Sequence, residues 1–180
     1  MQRIMIIRHA EKPIAGRQDR SVCINGFHKK HELTVRGWQR AAALVRFFAM
    51  PTDAHPVSLP RSIFAAAATP TSPSLRSQRT LEPLSSALGI PINLDHAEDD
   101  EAALALAVLA AEPPVLIAWH HHSIPQLARH IAGDALAAPA DWPDDRYDVV
   151  WTLDREPPTG ASQFRQAPQQ LFPHDRPHAI

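Results

Sequence analysis

Arg3-Ile4-Met5-Ile6-Ile7-Arg8-His9-Ala10-Glu11-Lys12-Pro13 is the stretch on which the reading of this chain turns. It begins as a short apolar run of the kind a buried strand shows. A cation and an imidazole follow where the strand would end, and Pro13 closes the segment. Ligands of open parallel sheets collect at the carboxyl ends of strands, so Arg8 and His9 stand where chemistry is expected. Arginine offers a planar fork of donors suited to phosphate, and histidine is a nucleophile or proton carrier near neutral pH. An isolated Arg-His pair is more often two solvated residues at a strand end. The rest of the chain must decide.

Downstream, Ile14 to Glu32 is polar and reads as a long loop, or flap, over the strand end. Thr34 is an N-cap for a helix to Met50, in which Val35, Trp38, Ala42, Val45 and Ala49 keep helical spacing and which Pro51 ends. Ser62 to Ala67 reads as a second buried strand. After a Thr-Pro-Thr-Ser-Pro-Ser turn comes a helix from Leu75 to Leu88. Leu81, Leu84 and Leu88 mark its buried face, Pro83 is expected to kink it, and Gly89 caps it. Pro91 to Leu94 is a short strand, and Asp99 or Asp100 caps an alanine-rich helix ending near Ala111. Val115 to Trp119 reads as a further buried strand, followed by a helix that Ser123 starts and Gly133 stops. Tyr147, Val149, Trp151 and Leu153 alternate as an edge strand would, Gly160 sits in a turn, and Ser162 to Ala167 pairs back as a hairpin. The tail from Pro168 is expected to be loosely held. Strands alternating with helices predict one domain over residues 1–180: a three-layer α/β/α sandwich with a mostly parallel central sheet.

The bulk properties narrow the function classes. The 180 residues suit one sizeable core, and the formal net charge of -1 gives no reason to expect nucleic acid or a membrane surface as partner. The single cysteine, Cys23, forms no internal disulfide and lacks a phosphate-loop pattern, so it reads as an inert thiol. The amino terminus meets Arg8 before an apolar signal region forms, and Ala102 to Ala111 is too short to cross a bilayer. A cytoplasmic protein is the expectation.

A second strand, Val115 to Trp119, also runs into histidine, at His120-His121-His122. If it lies parallel to the first, both imidazoles reach the same sheet edge. Arg76 falls in the first turn of a helix that starts at that edge and whose amides add to an anion-binding field. Two arginines and two histidines converging there make a phosphate site. Three consecutive rings cannot readily face one ion, so no metal site is expected from the histidine run, with or without His28 and His31.

These residues resemble branch 1 of the histidine phosphatase superfamily, the group related to phosphoglycerate mutases. Arg8-His9-Ala10 is similar to its amino-terminal Arg-His-Gly/Ala motif. Leu33-Thr34-Val35-Arg36-Gly37-Trp38-Gln39-Arg40-Ala41 resembles its Leu-Thr-x-x-Gly-x-x-Gln-Ala helix start. Arg76-Ser77-Gln78-Arg79-Thr80-Leu81-Glu82 resembles its Arg-x-x-Gln-Thr-Ala-Glu segment, and His120 its second histidine. The likeness spans residues 1 to about 133 in order.

The resemblance implies a phosphoglycerate mutase-like fold and a metal-independent phosphatase without cofactor, hydrolysing a phosphomonoester or a phosphohistidine. His9 would carry the phosphoryl group, and Arg8, Arg76 and His120 would hold its oxygens. A carboxylic acid would protonate the leaving oxygen; Glu98 is favoured, with Asp99, Asp100 and Glu101 as alternatives. His121 is the alternative second histidine. Lys12 or Asn25 could touch substrate, though solvent exposure is the commoner fate of such residues. The short chain speaks against a mutase. The partner would be a small phosphorylated molecule or a phosphoprotein, with oligomeric state open. A non-catalytic phospho-ligand binder on the same fold is the competing reading, because the acid region matches the family poorly.

Overall fold

The computed structural model describes residues 1–16, 18–52, 57–133, 136–156 and 161–180. The strand read from the opening stretch is β1 (Gln2–Arg8). It is followed by α1 (Val35–Ala49), β2 (Ser62–Ala65), α2 (Arg76–Leu88), β3 (Ile92–Asn93), α3 (Glu101–Ala110), β4 (Val115–Trp119), α4 (Ile124–Ala132), β5 (Val149–Glu156) and β6 (Ala161–Pro168). The strands form a six-stranded sheet in the order β3-β2-β4-β1-β5-β6. Pairing is parallel from β3 through β2 and β4 to β1, and antiparallel from β1 through β5 to β6. The predicted three-layer α/β/α sandwich with a mostly parallel central sheet is what is found.

The layers follow from the pleat. Alternate residues of a strand point to opposite faces, so an apolar run feeds two cores. Ile4 and Ile6 join Val115, Ile117 and Trp119 against Leu104, Ala105 and Val108 of α3 and Ile124, Leu127 and Ala128 of α4. Met5 and Ile7 join Leu116 and Ala118 against Leu44 and Phe48 of α1 and Leu81 and Leu84 of α2.

Several expectations are corrected. The face of α1 that is buried is Gly37, Arg40, Ala41, Leu44 and Phe48. It is rotated from the apolar set read in sequence, and Val35 is left exposed. At its amino-terminal end this face lies on the backbone after β1, where Gly37 leaves no room for a Cβ, and further along Leu44 and Phe48 reach the core. Trp38 is half-buried and donates from Nε1 to the Val22 carbonyl at 2.8 Å, tying the long loop to the helix. β5 is not an edge strand: β1 and β6 pair with it on either side, and β6 takes the edge. The hairpin from Ser162 is present, whereas the turn at Gly160 lies outside the described residues.

The tail beyond β6 makes side-chain hydrogen bonds to the body of the fold. The Asp175 carboxylate accepts from Arg40 Nη2 at 2.7 Å and from the Leu171 amide at 2.9 Å, and Arg146 Nη2 donates to the His178 carbonyl at 2.6 Å. Arg40, itself buried, is bound by Glu11 as well, and despite the cost of burial these carboxylates raise its pKa. No helix is long and apolar enough to cross a membrane among the described residues.

Gly37 shows how tightly α1 is seated. A Cβ there would meet the Glu11 carbonyl oxygen at 2.7 Å and the Leu33 Cβ at 3.0 Å. Backbone cannot yield as a flexible side chain would, so Gly37→Ala is expected to destabilise the fold by roughly 1–3 kcal/mol, as overpacking does. A lowered urea midpoint at unchanged m-value would show it. An unchanged midpoint would mean that α1 does not rest on Glu11.

Candidate active site

The parallel pairing of β1 with β4 places Arg8 opposite Trp119, so the two chains leave the sheet side by side. The His9 amide donates to the Trp119 carbonyl at 3.2 Å, extending the ladder one step beyond the strands. The rings of His9 and His120 consequently stand edge to face with centroids 6.1 Å apart. Both are buried.

The two helix starts singled out in sequence serve as clamps on the segment after His9. Thr34, the N-cap of α1, accepts from the Gly37 amide at 3.1 Å through its hydroxyl. Its amide and hydroxyl both donate to the Glu11 carbonyl, at 3.0 and 3.2 Å. Thr80 lies one turn beyond Arg76. Its hydroxyl donates to the Arg76 carbonyl at 2.7 Å and accepts from the Ala10 amide at 2.8 Å. The four-residue interval between Arg76 and Thr80 thus fixes α2 against the loop and brings its first residue to His9.

Arg76 is oriented by the base of the long loop, its Nε donating to the Glu32 carbonyl at 3.1 Å. Arg8 is buried and held rigidly. Its Nη1 donates to the Pro143, Asp144 and Arg146 carbonyls at 3.3, 2.5 and 3.3 Å, and Nη2 donates to the Tyr147 hydroxyl at 3.2 Å. The guanidinium stacks 3.9 Å from the Tyr147 ring centroid. Tyr147 and the 143–147 segment were missed as site-builders. The alternation with Val149 and Trp151 puts the tyrosine in a strand, and only the return of β5 beside β1 brings it under Arg8.

Burial, then the charge of Arg8, with smaller effects of His120 and Arg76, push the His9 pKa well below the ordinary imidazole value. His9 is therefore neutral near pH 7. Its Nδ1 lies 2.7 Å from the Ala10 carbonyl. An oxygen there calls for hydrogen on Nδ1, which leaves the Nε2 lone pair free. Arg8 and Arg76 are also lowered, chiefly by burial, which marks a desolvated positive field.

The three consecutive histidines go separate ways. His120 faces His9. His121 contacts the Asp144 carboxylate at 2.7 Å, and His122 contacts Glu98 at 2.7 Å. Among the described residues no cluster of three metal-ligating side chains is arranged around one point. Of the four acids considered, Glu98 stands by His120. Its carboxylate accepts from Ser72 Oγ and His122 Nε2, and these bonds with the nearby His120 outweigh burial and lower its pKa. Glu101 is buried and accepts from Trp119 Nε1 at 2.9 Å. Asp99 and Asp100 are exposed, and Asp100 spends an oxygen on the Ala97 amide. Lys12 is half-buried and feels Arg8 and Arg76, so it stands at the site's rim. Asn25 is exposed at the loop tip, lining a separate cavity of about 500 Å³ with Trp38, Arg79 and Glu82.

By sequence, no family model and no curated protein matches the chain. By structure, it superposes on the protein histidine phosphatase SixA in complex with tungstate. That match has a TM-score of 0.53 and 14% identity, over 93% of this chain and 97% of the other. The chain shares the fold of that protein. A mycobacterial glucosyl-3-phosphoglycerate phosphatase complexed with VO3 matches at TM-score 0.53 and 14% identity, over 92% of this chain and 97% of that one. The alpha-ribazole phosphatase from Shigella flexneri matches at 0.50 and 13%, over 91% and 94%.

The buried histidines make stability depend on pH. His9, His120 and His121 all titrate below 6.5 in the fold, His121 at about 4. Unfolding returns each imidazole to its ordinary value, so below 6.5 the unfolded chain binds more protons than the folded one. Their contribution is complete above that pH and declines from 6.5 toward 4. The thermal midpoint should be level above neutrality and fall on acidification through this window. A midpoint that rises instead would contradict neutral histidines in the site.

Proposed function

We propose that the protein is a metal-independent phosphatase that hydrolyses a phosphomonoester or phosphohistidine through a phosphoryl group carried on His9. The observation that supports this best is the neutral His9 ring, anchored through Nδ1 and standing beside His120 in the field of buried Arg8 and half-buried Arg76. The folds it resembles include proteins solved with tungstate, a tetrahedral anion like phosphate, and with VO3, whose three oxygens match a phosphoryl group in transfer.

In the first step the His9 Nε2 lone pair bonds to phosphorus as the ester P–O bond breaks, and the leaving oxygen takes a proton from a carboxylic acid. In the second, water bonds to phosphorus and gives a proton to the same carboxylate as the P–N bond breaks, which returns the lone pair to His9 Nε2 and releases inorganic phosphate. Arg8, Arg76 and His120 offset the charge that spreads over the equatorial oxygens. Arg8 is fixed by carbonyls before substrate arrives, so little reorganisation remains for the reaction itself. The arginines supply the positive charge a metal would otherwise bring.

Glu98 is the acid in this reading. In the free protein its pKa is held down, and the approach of a phosphate dianion acts in the opposite direction by like-charge repulsion, favouring the protonated form. The same fold without turnover would leave a phospho-ligand binder.

Hydrolysis of p-nitrophenyl phosphate in EDTA is expected, with inhibition by vanadate. His9→Ala should lower kcat by about 10³ or more, and Arg76→Ala by about 10²–10³, as loss of a preorganised donor does. Wild-type rates in His9→Ala would refute the nucleophile, and binding of phosphate without any turnover would favour the non-catalytic alternative. Glu98→Gln should cost about 10²–10⁴ on alkyl phosphates, whose leaving groups need a proton, and far less on p-nitrophenyl phosphate. Equal losses on both would remove Glu98 from that role.

A further inference from the structure

Beside Arg8 a carboxylate of the protein lies among donors like a bound ligand. Oδ1 of Asp144 is 2.7 Å from His121 Nε2, 3.9 Å from Lys12 Nζ and 3.9 Å from Arg8 Nη2. The donors belong to the body of the fold: the Arg8 side chain is 0% exposed, His121 16% and Lys12 35%, whereas that of Asp144 is 81% exposed. The cationic side of this contact is built in, and the anion is the part that can leave.

The charges point the same way. Burial and then the Arg8 charge bring the His121 pKa to about 4, so its contact with Asp144 is a hydrogen bond from a neutral ring. Lys12 is lowered by burial and by Arg8, with Asp144 pulling the other way. One exposed carboxylate therefore answers to Arg8 and Lys12 together. An exposed ion pair is weak, so this carboxylate is readily exchanged for another anion.

We propose that Lys12 and His121, with the outer edge of Arg8, form a second anion subsite next to the phosphate pocket. Asp144 fills it in the free protein and gives it up to a second acidic group of the substrate. The inference rests on the phosphatase reading and deepens it: the substrate class is a phosphomonoester that carries a further anionic group, carboxylate or phosphate. Specificity then lies in the Lys12 rim and the 143–147 segment, which sequence alone did not connect.

Non-hydrolysable probes test this without turnover. Calorimetric binding of propylphosphonate, 3-phosphonopropionate and propane-1,3-bisphosphonate to the native chain compares one anionic group with two, and the last two distinguish a carboxylate from a phosphate partner. At least one doubly anionic probe should bind about fivefold or more tighter than propylphosphonate, the size of one additional charge-assisted contact. Lys12→Ala should bring that ratio close to one, and Asp144→Asn should enlarge it by removing the internal competitor. Because each ratio is taken on one preparation, partial loss of folded protein does not alter it. A ratio near one in both the native protein and Asp144→Asn, with propylphosphonate still bound and displaced by vanadate, overturns the subsite and leaves the phosphatase reading intact. So does a ratio that Lys12→Ala leaves unchanged. Failure of all three probes to bind would sink both.

Discussion

The backbone of Ala10 and Glu11 is gripped from two sides, by Thr80 of α2 at the Ala10 amide and by Thr34 of α1 at the Glu11 carbonyl. Both helices belong to the same layer, packed on Met5 and Ile7, and each reaches the loop near its amino-terminal end. A residue directly after a strand ordinarily has freedom to swing. Here the strand, the two threonines and the close approach of Gly37 leave it almost none. The position of His9, and with it the whole candidate site, follows from that grip.

Rigidity of this kind answers an electrostatic difficulty. Gathered in one pocket, a buried and a half-buried guanidinium group and two imidazoles repel one another and lose hydration, a cost that only fixed partners can offset. Arg8 finds them in the 143–147 carbonyls and Tyr147, and Arg76 finds one in the Glu32 carbonyl. The imidazoles meet the difficulty by staying neutral. What remains is a preorganised positive pocket containing an uncharged nitrogen base, the combination that phosphoryl transfer to nitrogen calls for. On either side stands a carboxylate, Glu98 by His120 and His122, and Asp144 by His121, Lys12 and Arg8. The histidine run divides its rings between these two flanks, so neighbours in sequence serve different parts of the site.

The tail beyond β6 extends the same logic to the periphery. Asp175 binds Arg40, which binds Glu11, and Arg146 binds both the tail and, through its carbonyl, Arg8. Residues far apart in the chain thereby brace the loop and the arginine from behind.

The sequence by itself determined the layered α/β architecture and singled out Arg8, His9, Arg76 and His120 as the candidate set. Unbroken apolar runs ending in polar residues, cap residues and fixed intervals such as that from Arg76 to Thr80 are local signals, written in consecutive positions. It missed the true buried face of α1, because α1 rests on backbone at Glu11 through Gly37 and buries the charged Arg40, and hydrophobicity counting looks for neither. The edge position given to β5 and the omission of Tyr147 and Asp144 from the candidate site share a cause. Each depends on which strands pair and which side chains meet across more than a hundred residues, as Arg8 meets Tyr147. Such pairings are fixed by packing and charge compensation in three dimensions, and only the tertiary structure decided them.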